Sequence, residues 1–216
     1  MTESVITLGR RALYEDVADW LRQRIFSHAL KPGTWIDEIA IAQELGISRT
    51  PLREALKVLA AEGLITMKVR RGAYVTEVDE KELREVYQML SLLEADAAAT
   101  VAVQANIAQK QELQTIHADL EAQIHDREAF FRINEAFHFK VLELADNRWR
   151  LQIVTDLRKV MKLHRHNSLL KQGRIEESLM EHQAIMQAII KSNAETARYE
   201  MGKHILSGLT AAAASF

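Results

Sequence analysis

Residues 73–172 contain neither glycine nor proline, whereas both prolines (Pro32, Pro51) and five of the eight glycines (Gly9, Gly33, Gly46, Gly63, Gly72) fall in the first 72 residues. A long stretch without backbone breakers, rich in Ala, Leu, Glu and Gln, is suited to long helices, while the frequent punctuation before it implies short elements and tight turns. The architecture therefore changes near Glu77–Glu82, dividing the chain into residues 1–77 and 78–216. With 216 residues and 48% hydrophobic content, there is enough apolar material for a core in each part.

Composition narrows the function classes. The chain has no cysteine, which excludes disulfides, thiolate zinc sites and a thiol nucleophile and makes a reducing cytoplasm the simplest location. No run without Asp, Glu, Lys or Arg exceeds 13 residues, the length reached at Ala97–Gln109, which is short of a bilayer span, and the first residues have no apolar signal core, so a soluble protein without a membrane partner is expected. A formal charge of −2 argues against a generally basic coat and shifts attention to where the charges sit.

In the N-terminal part, Leu13, Val17, Leu21 and Ile25 mark a first helix that ends before Lys31-Pro32-Gly33. Asp37 is placed to cap a second helix, Glu38 to Leu45, stopped by Gly46. Ser48 is placed to cap a third, with Leu52, Ala55, Leu56 and Leu59 at i, i+3, i+4, i+7 and Gly63 at its end. Leu64–Val69 and Ala73–Val78 then read as a hairpin around Arg70-Arg71-Gly72. Two helices across a glycine turn, followed by a basic-tipped hairpin, describe a winged helix-turn-helix. On the third helix Arg49, Arg53 and Lys57 repeat every four residues opposite the leucine stripe, the arrangement needed to offer a cationic face to the major groove. A solvated basic face would show the same pattern; the surrounding turns and the arginine-bearing wing favour DNA.

The run Pro32-Gly33, Glu38, Leu45-Gly46-Ile47-Ser48-Arg49-Thr50-Pro51-Leu52-Arg53-Glu54-Ala55-Leu56, Leu59, Glu62-Gly63-Leu64-Ile65, Arg71-Gly72 and Val75 resembles the GntR family of bacterial transcription regulators. Further along, Asn134-Glu135-Ala136-Phe137-His138, Glu181-His182-Gln183-Ala184-Ile185, Ala188-Ile189 and Met201-Gly202-Lys203-His204-Ile205 resemble the all-helical FCD-type effector domain of the FadR subfamily. The resemblance implies a ligand-responsive homodimer, with DNA-reading N-terminal domains and effector-binding, dimerising C-terminal ones. It also implies operator contacts from Ser48, Arg49, Thr50, Arg53, Arg71 and Gly72. The chemistry of those residues agrees: arginine donates bidentately to guanine, hydroxyls at a helix N-terminus suit phosphate, and a wing glycine permits close backbone approach. The expected fold class is mainly α, a winged helix-turn-helix domain followed by an all-α six-helix bundle.

Six helices are expected after the boundary: Asp79–Gln104, Ala108–Ile124, Asp126–Ala145, Arg148–His166, Gly173–Lys191 and Asn193–Gly208. His138, His182 and His204 lie on apolar stripes of three of them, and Asn134 stands four residues before the first. A lone core histidine usually satisfies itself on a carbonyl; three on separate helices point to a shared ion. The FadR-type resemblance implies the same set as a divalent-metal site, with Asn134 where the family has Asp. A neutral amide oxygen disfavours hard ions and leaves zinc or nickel as the expected cofactor. Such donors would leave the +2 charge uncompensated in the core, so a small carboxylate effector is expected beside it. The family's usual effector arginine corresponds to Leu90; Arg158 and Arg165, on an inward seam, are the expected substitutes. A metalloenzyme or a direct metal sensor is the alternative. Against the enzyme, Glu135 and Glu181 adjoin the histidine motifs in sequence, but helix neighbours point apart, leaving no positioned general base.

Overall fold

The computed structural model describes residues 12–169 and 171–213, with their side chains apart from those of residues 163–168 and 213. The chain folds into two compact units that divide between Glu77 and Val78.

The first unit contains α1 (Leu13–Phe26), α2 (Glu38–Glu44), α3 (Arg49–Ala61), β1 (Ile65–Lys68) and β2 (Gly72–Val75). Val17, Ala18, Leu21 and Ile25 of α1 are buried, as are Leu52, Ala55, Leu56 and Leu59 of α3, so the apolar stripes of these paired helices form the core. The Asp37 side chain accepts from the Ile39 and Ala40 amides and starts α2. Gly46, at φ +63°, takes the left-handed turn into α3. Ser48 occupies the N-cap of α3 but makes no capping bond. Pro51, at the third helical position, has no N–H to give, which removes one of the two amides such a cap can accept from. The antiparallel hairpin pairs Ile65 with Val75 and Lys68 with Gly72, and is shorter than the sequence implied. A bridge between Trp35 and Tyr74 adds a third element that the strand pattern did not announce.

The second unit is a helical bundle of α4 (Glu80–Gln104), α5 (Ile107–Ala122), α6 (Arg127–Leu144), α7 (Arg148–Ser168), α8 (Arg174–Ile190) and α9 (Ala194–Ala213). Asp79 and Asp126 cap α4 and α6, and Asn106 with Gln109 forms a reciprocal capping box on α5. The most extensive pairing is α4 against α9. Small residues allow it: a Cβ on Gly202 would lie 3.4 Å from Ser91 Oγ, and one on Gly208 would press to 3.2 Å from the Tyr87 ring. By length and composition α4 could cross a membrane, yet 56% of its apolar window is buried inside this bundle. Leu90, Ala97, Ala98, Val101, Phe137, Ile185, Ile189 and Met201 belong to the core beside which the three histidines lie.

Candidate metal centre and nucleic-acid interface

The apolar stripes of α6, α8 and α9 carry His138, His182 and His204 into one place: ring nitrogens, one from each, lie within 4.8 Å of one another, and all three residues are buried. His138 Nε2 is 3.1 Å from His204 Nε2, close to the roughly 3.3 Å expected between two nitrogens bound to one tetrahedral zinc-like ion. The other nitrogen of each ring is held by a carboxylate. His138 Nδ1 lies 2.7 Å from Glu94 Oε2, and His204 Nδ1 lies 2.7 Å from Glu181 Oε2. Glu181 is ionised and accepts from His204 Nδ1, which leaves the His204 Nε2 lone pair turned toward His138 Nε2 at hydrogen-bond distance. This is the second-layer arrangement that orients metal-binding imidazoles.

His182 completes the donor set. Neither of its ring nitrogens has a hydrogen-bond partner although the residue is fully buried, and Asn134 Oδ1 is likewise buried and unpartnered. Unmade bonds of this kind cost about 1–3 kcal/mol each, and a cation facing lone pairs would remove part of that penalty. Burial holds the His138 and His182 imidazoles well below the usual histidine range, with nearby positive groups acting in the same direction, so both are neutral and able to ligate. The residues present therefore fit a divalent ion, held by His138, His182 and His204 with Asn134 nearby.

Buried charge surrounds this cluster. Arg158 donates from Nε and Nη2 to Glu94 at 2.9 and 2.6 Å, and from Nη1 to Glu135 at 2.8 Å. Burial pushes the Glu94 carboxyl up, and the guanidinium works against that shift. Glu181 also accepts from Arg174 Nη2 at 2.8 Å. Burial opposes its ionisation, but the bonds from His204 and Arg174 outweigh this and bring the Glu181 carboxyl down to about 2.

Three sequence expectations change. Arg158 does face inward, but its guanidinium is committed to Glu94 and Glu135 rather than free for an effector; Arg165 lies outside the described side chains. The core cation next to the cavity at this site is Arg174, which helical spacing did not single out. Glu135 and Glu181 do not point away, because long side chains on α6 and α8 reach partners on α7 and α9. The ion's charge would accordingly be offset in part by Glu94 and Glu181 behind the imidazoles. Glu94 gave no signal of its own beyond being an acidic residue on an apolar stretch of α4.

In the first unit Ser48, Arg49, Thr50 and Arg53 are exposed on the first turns of α3, and Arg71 is exposed in the wing. Arg53 Nε donates to Glu38 Oε2 of α2 at 2.7 Å. Gly72 has a reason internal to the domain: its φ is +90°, and a Cβ there would lie 3.1 Å from the Trp35 indole nitrogen. Lys68 Nζ stacks 4.5 Å over the Tyr74 ring on the same hairpin.

Residues 85–207 match the FCD domain family, and residues 13–75 match the bacterial regulatory proteins of the gntR family. The chain is 28% identical over 187 residues to the HTH-type transcriptional regulator YdhC of Bacillus subtilis, covering 85% of this chain and 84% of that one. It is 29% identical over 210 residues to a probable D-xylose utilization operon transcriptional repressor of Paenarthrobacter nicotinovorans, covering 96% and 92% of the two chains. A gluconate operon repressor of Bacillus subtilis is 43% identical over 91 residues, covering 42% of this chain and 35% of the relative. Among solved structures, Escherichia coli McbR/YncC superposes with a TM-score of 0.72 at 20% identity, over 95% of this chain and 99% of the other, a likeness of fold.

Proposed function

Since the chain belongs to the gntR family of bacterial transcription regulators and carries an FCD domain, we propose that it is a homodimeric repressor or activator whose operator affinity is set by a small carboxylate bound beside a divalent metal. Its relatives are DNA-binding regulators rather than enzymes, and effector-responsive regulation is what this domain pair performs. In this reading the protein works in the cytoplasm on double-stranded operator DNA. Ser48, Arg49, Thr50 and Arg53 enter the major groove, and Arg71 with Gly72 contacts the backbone from the wing.

One observation carries the metal reading: three buried histidines from three helices present ring nitrogens to one point, and His182 has no other partner. Zinc or nickel suits three imidazoles and an amide oxygen better than a hard ion does. The dimer reading draws on α4 and α7. These helices pack together, are joined by an Asp96–Arg150 ion pair, and expose Met89, Leu92, Trp149 and Ile153, a set of large apolar groups suited to a second copy.

The test is operator binding by the full-length protein, measured with added metal and with a panel of small carboxylates and sugars. A carboxylate that shifts operator affinity only when metal is present supports the proposal. A shift by metal alone identifies a metal sensor, and a response to a neutral sugar alone removes the carboxylate.

A further inference from the structure

β1 and β2 share only four paired positions, too few to hold a wing in a fixed direction by themselves. The tip adds to the difficulty. A turn closed by the Arg71 amide on the Lys68 carbonyl at 3.0 Å places Arg70 at φ +59°, where a Cβ is disfavoured. A strained turn persists only when its surroundings determine it, so the hairpin needs a hold from outside.

The segment before α2 supplies that hold. The Gly33 and Ile36 amides donate to the Val75 and Ala73 carbonyls at 3.0 and 2.9 Å, and the Val75 amide donates back to the Thr34 carbonyl at 2.9 Å. These bonds set Trp35 opposite Tyr74, and cross-strand partners share a face of the sheet. Tyr74 pairs on its other side with Thr66 of β1, and Lys68 Nζ lies over its ring. The Trp35 indole meets the wing at Gly72: a Cβ there would come within 3.1 Å of Nε1, so the missing side chain is what seats the ring. Gly72 opens β2 and directly follows Arg71. Trp35 is half exposed and does not belong to the buried set of Val17, Leu21, Leu52 and Leu56, so its loss leaves that core intact.

We infer that Trp35 is the positioning residue of the wing: seated on Gly72, it fixes the start of β2 and with it the direction in which Arg71 meets the DNA backbone. The inference rests on the reading above that Arg71 contacts the backbone. Trp35 acts through Arg71 and makes no DNA contact of its own.

The experiment measures binding of the full-length protein to a random-sequence duplex between about 50 and 200 mM salt, because phosphate contacts do not depend on sequence. It compares the wild type with Arg71→Ala, Trp35→Ala, the two changes together, and Trp35→Phe. We expect Trp35→Ala to reduce the slope of log K against log salt by about one, as Arg71→Ala does. Its deficit against the wild type is then about three- to fourfold larger at the low end of that range than at the high end. Once Arg71 is replaced, removing Trp35 should change affinity by no more than about twofold. Trp35→Phe, which keeps a flat ring on the glycine, should retain the wild-type slope. A wild-type slope in Trp35→Ala, or losses that add to those of Arg71→Ala, overturns the inference and leaves the wing contact standing. A slope unchanged by Arg71→Ala overturns both. A slope reduced by several charges would mean that Trp35 only holds the domain together, and it also overturns the inference. If Trp35→Ala melts without cooperativity, Trp35→Leu, which keeps apolar bulk without a flat ring, takes its place under the same expectations.

Discussion

His138 and His204 face each other through their Nε2 atoms at 3.1 Å, each ring braced from behind by a carboxylate 2.7 Å from Nδ1. At that separation the two nitrogens share a hydrogen bond when one carries a proton, and hold a cation between them when both present lone pairs. The fold maintains the arrangement through residues on five helices: Glu94 on α4, His138 on α6, Arg158 on α7, Glu181 on α8 and His204 on α9. Such bracing prepares the imidazoles for an ion and lowers the cost of ordering them when it binds.

Metal should therefore stabilise the helical domain. Binding at a concentration a thousandfold above Kd contributes about 4 kcal/mol, which for a domain of this size raises the melting temperature by roughly 10 °C. We expect chelator to remove that increment, zinc or nickel to restore it, and His182→Ala to abolish the restoration. A melting curve indifferent to chelator would mean the three histidines are a packing cluster.

Arg158 should be among the most sensitive residues of the second unit. Removing one member of a buried ion pair costs about 3–5 kcal/mol, because the remaining charge has lost its compensation. Arg158→Met alone should destabilise by that order, whereas Arg158→Met combined with Glu94→Gln should cost less than the two single changes added. Chemical denaturation of the four proteins gives the coupling directly. Additive effects would show that the pair contributes no mutual stabilisation.

What could be read from the sequence follows the range of each interaction. The change in glycine and proline spacing marked the shift from short to long elements, and the Asp37 cap was legible because donor and acceptor are two and three residues apart. The histidines were found because each interrupts an apolar stripe on its own helix. Glu94 and Arg174 were not, because the groups that give them meaning lie on other helices: Arg158 is 64 positions from Glu94, and the cavity beside Arg174 is assembled from five helices. Glu181 shows a separate limit. Its position next to His182 excludes the same face of α8, but a flexible side chain crosses to α9. The inward seam of α7 gave the direction of Arg158 and said nothing about the carboxylates it would meet.

Dimerisation should depend on the exposed apolar residues of α4 and α7. Leu92 is 67% exposed and Trp149 64%, values that are costly to leave in water for side chains of this size. Sedimentation of the full chain should give a dimer at micromolar concentration, and Leu92→Asp should give a folded monomer with weakened operator binding. A dimer that survives both Leu92→Asp and Ile153→Asp would place the contact on another surface.

Operator reading should separate Arg49 from Arg53 through Glu38. The Glu38 carboxylate holds Arg53 by Nε, so the Nη atoms are presented from a fixed stem, while Arg49 is exposed one turn earlier on α3. Arg49→Ala or Arg53→Ala should each remove about 1–3 kcal/mol of discrimination if the side chain reads a base. Arg71→Ala should weaken all sequences alike and reduce the salt slope by about one. Glu38→Gln distinguishes the two helix arginines. It removes a negative charge close to the phosphates, so binding to random duplex should strengthen, and it loosens Arg53, so the ratio of operator to random binding should fall if Arg53 is the reader. A ratio unchanged by Glu38→Gln but lost in Arg49→Ala would assign the base contact to Arg49, and a ratio unchanged in all of these variants would remove α3 from sequence recognition.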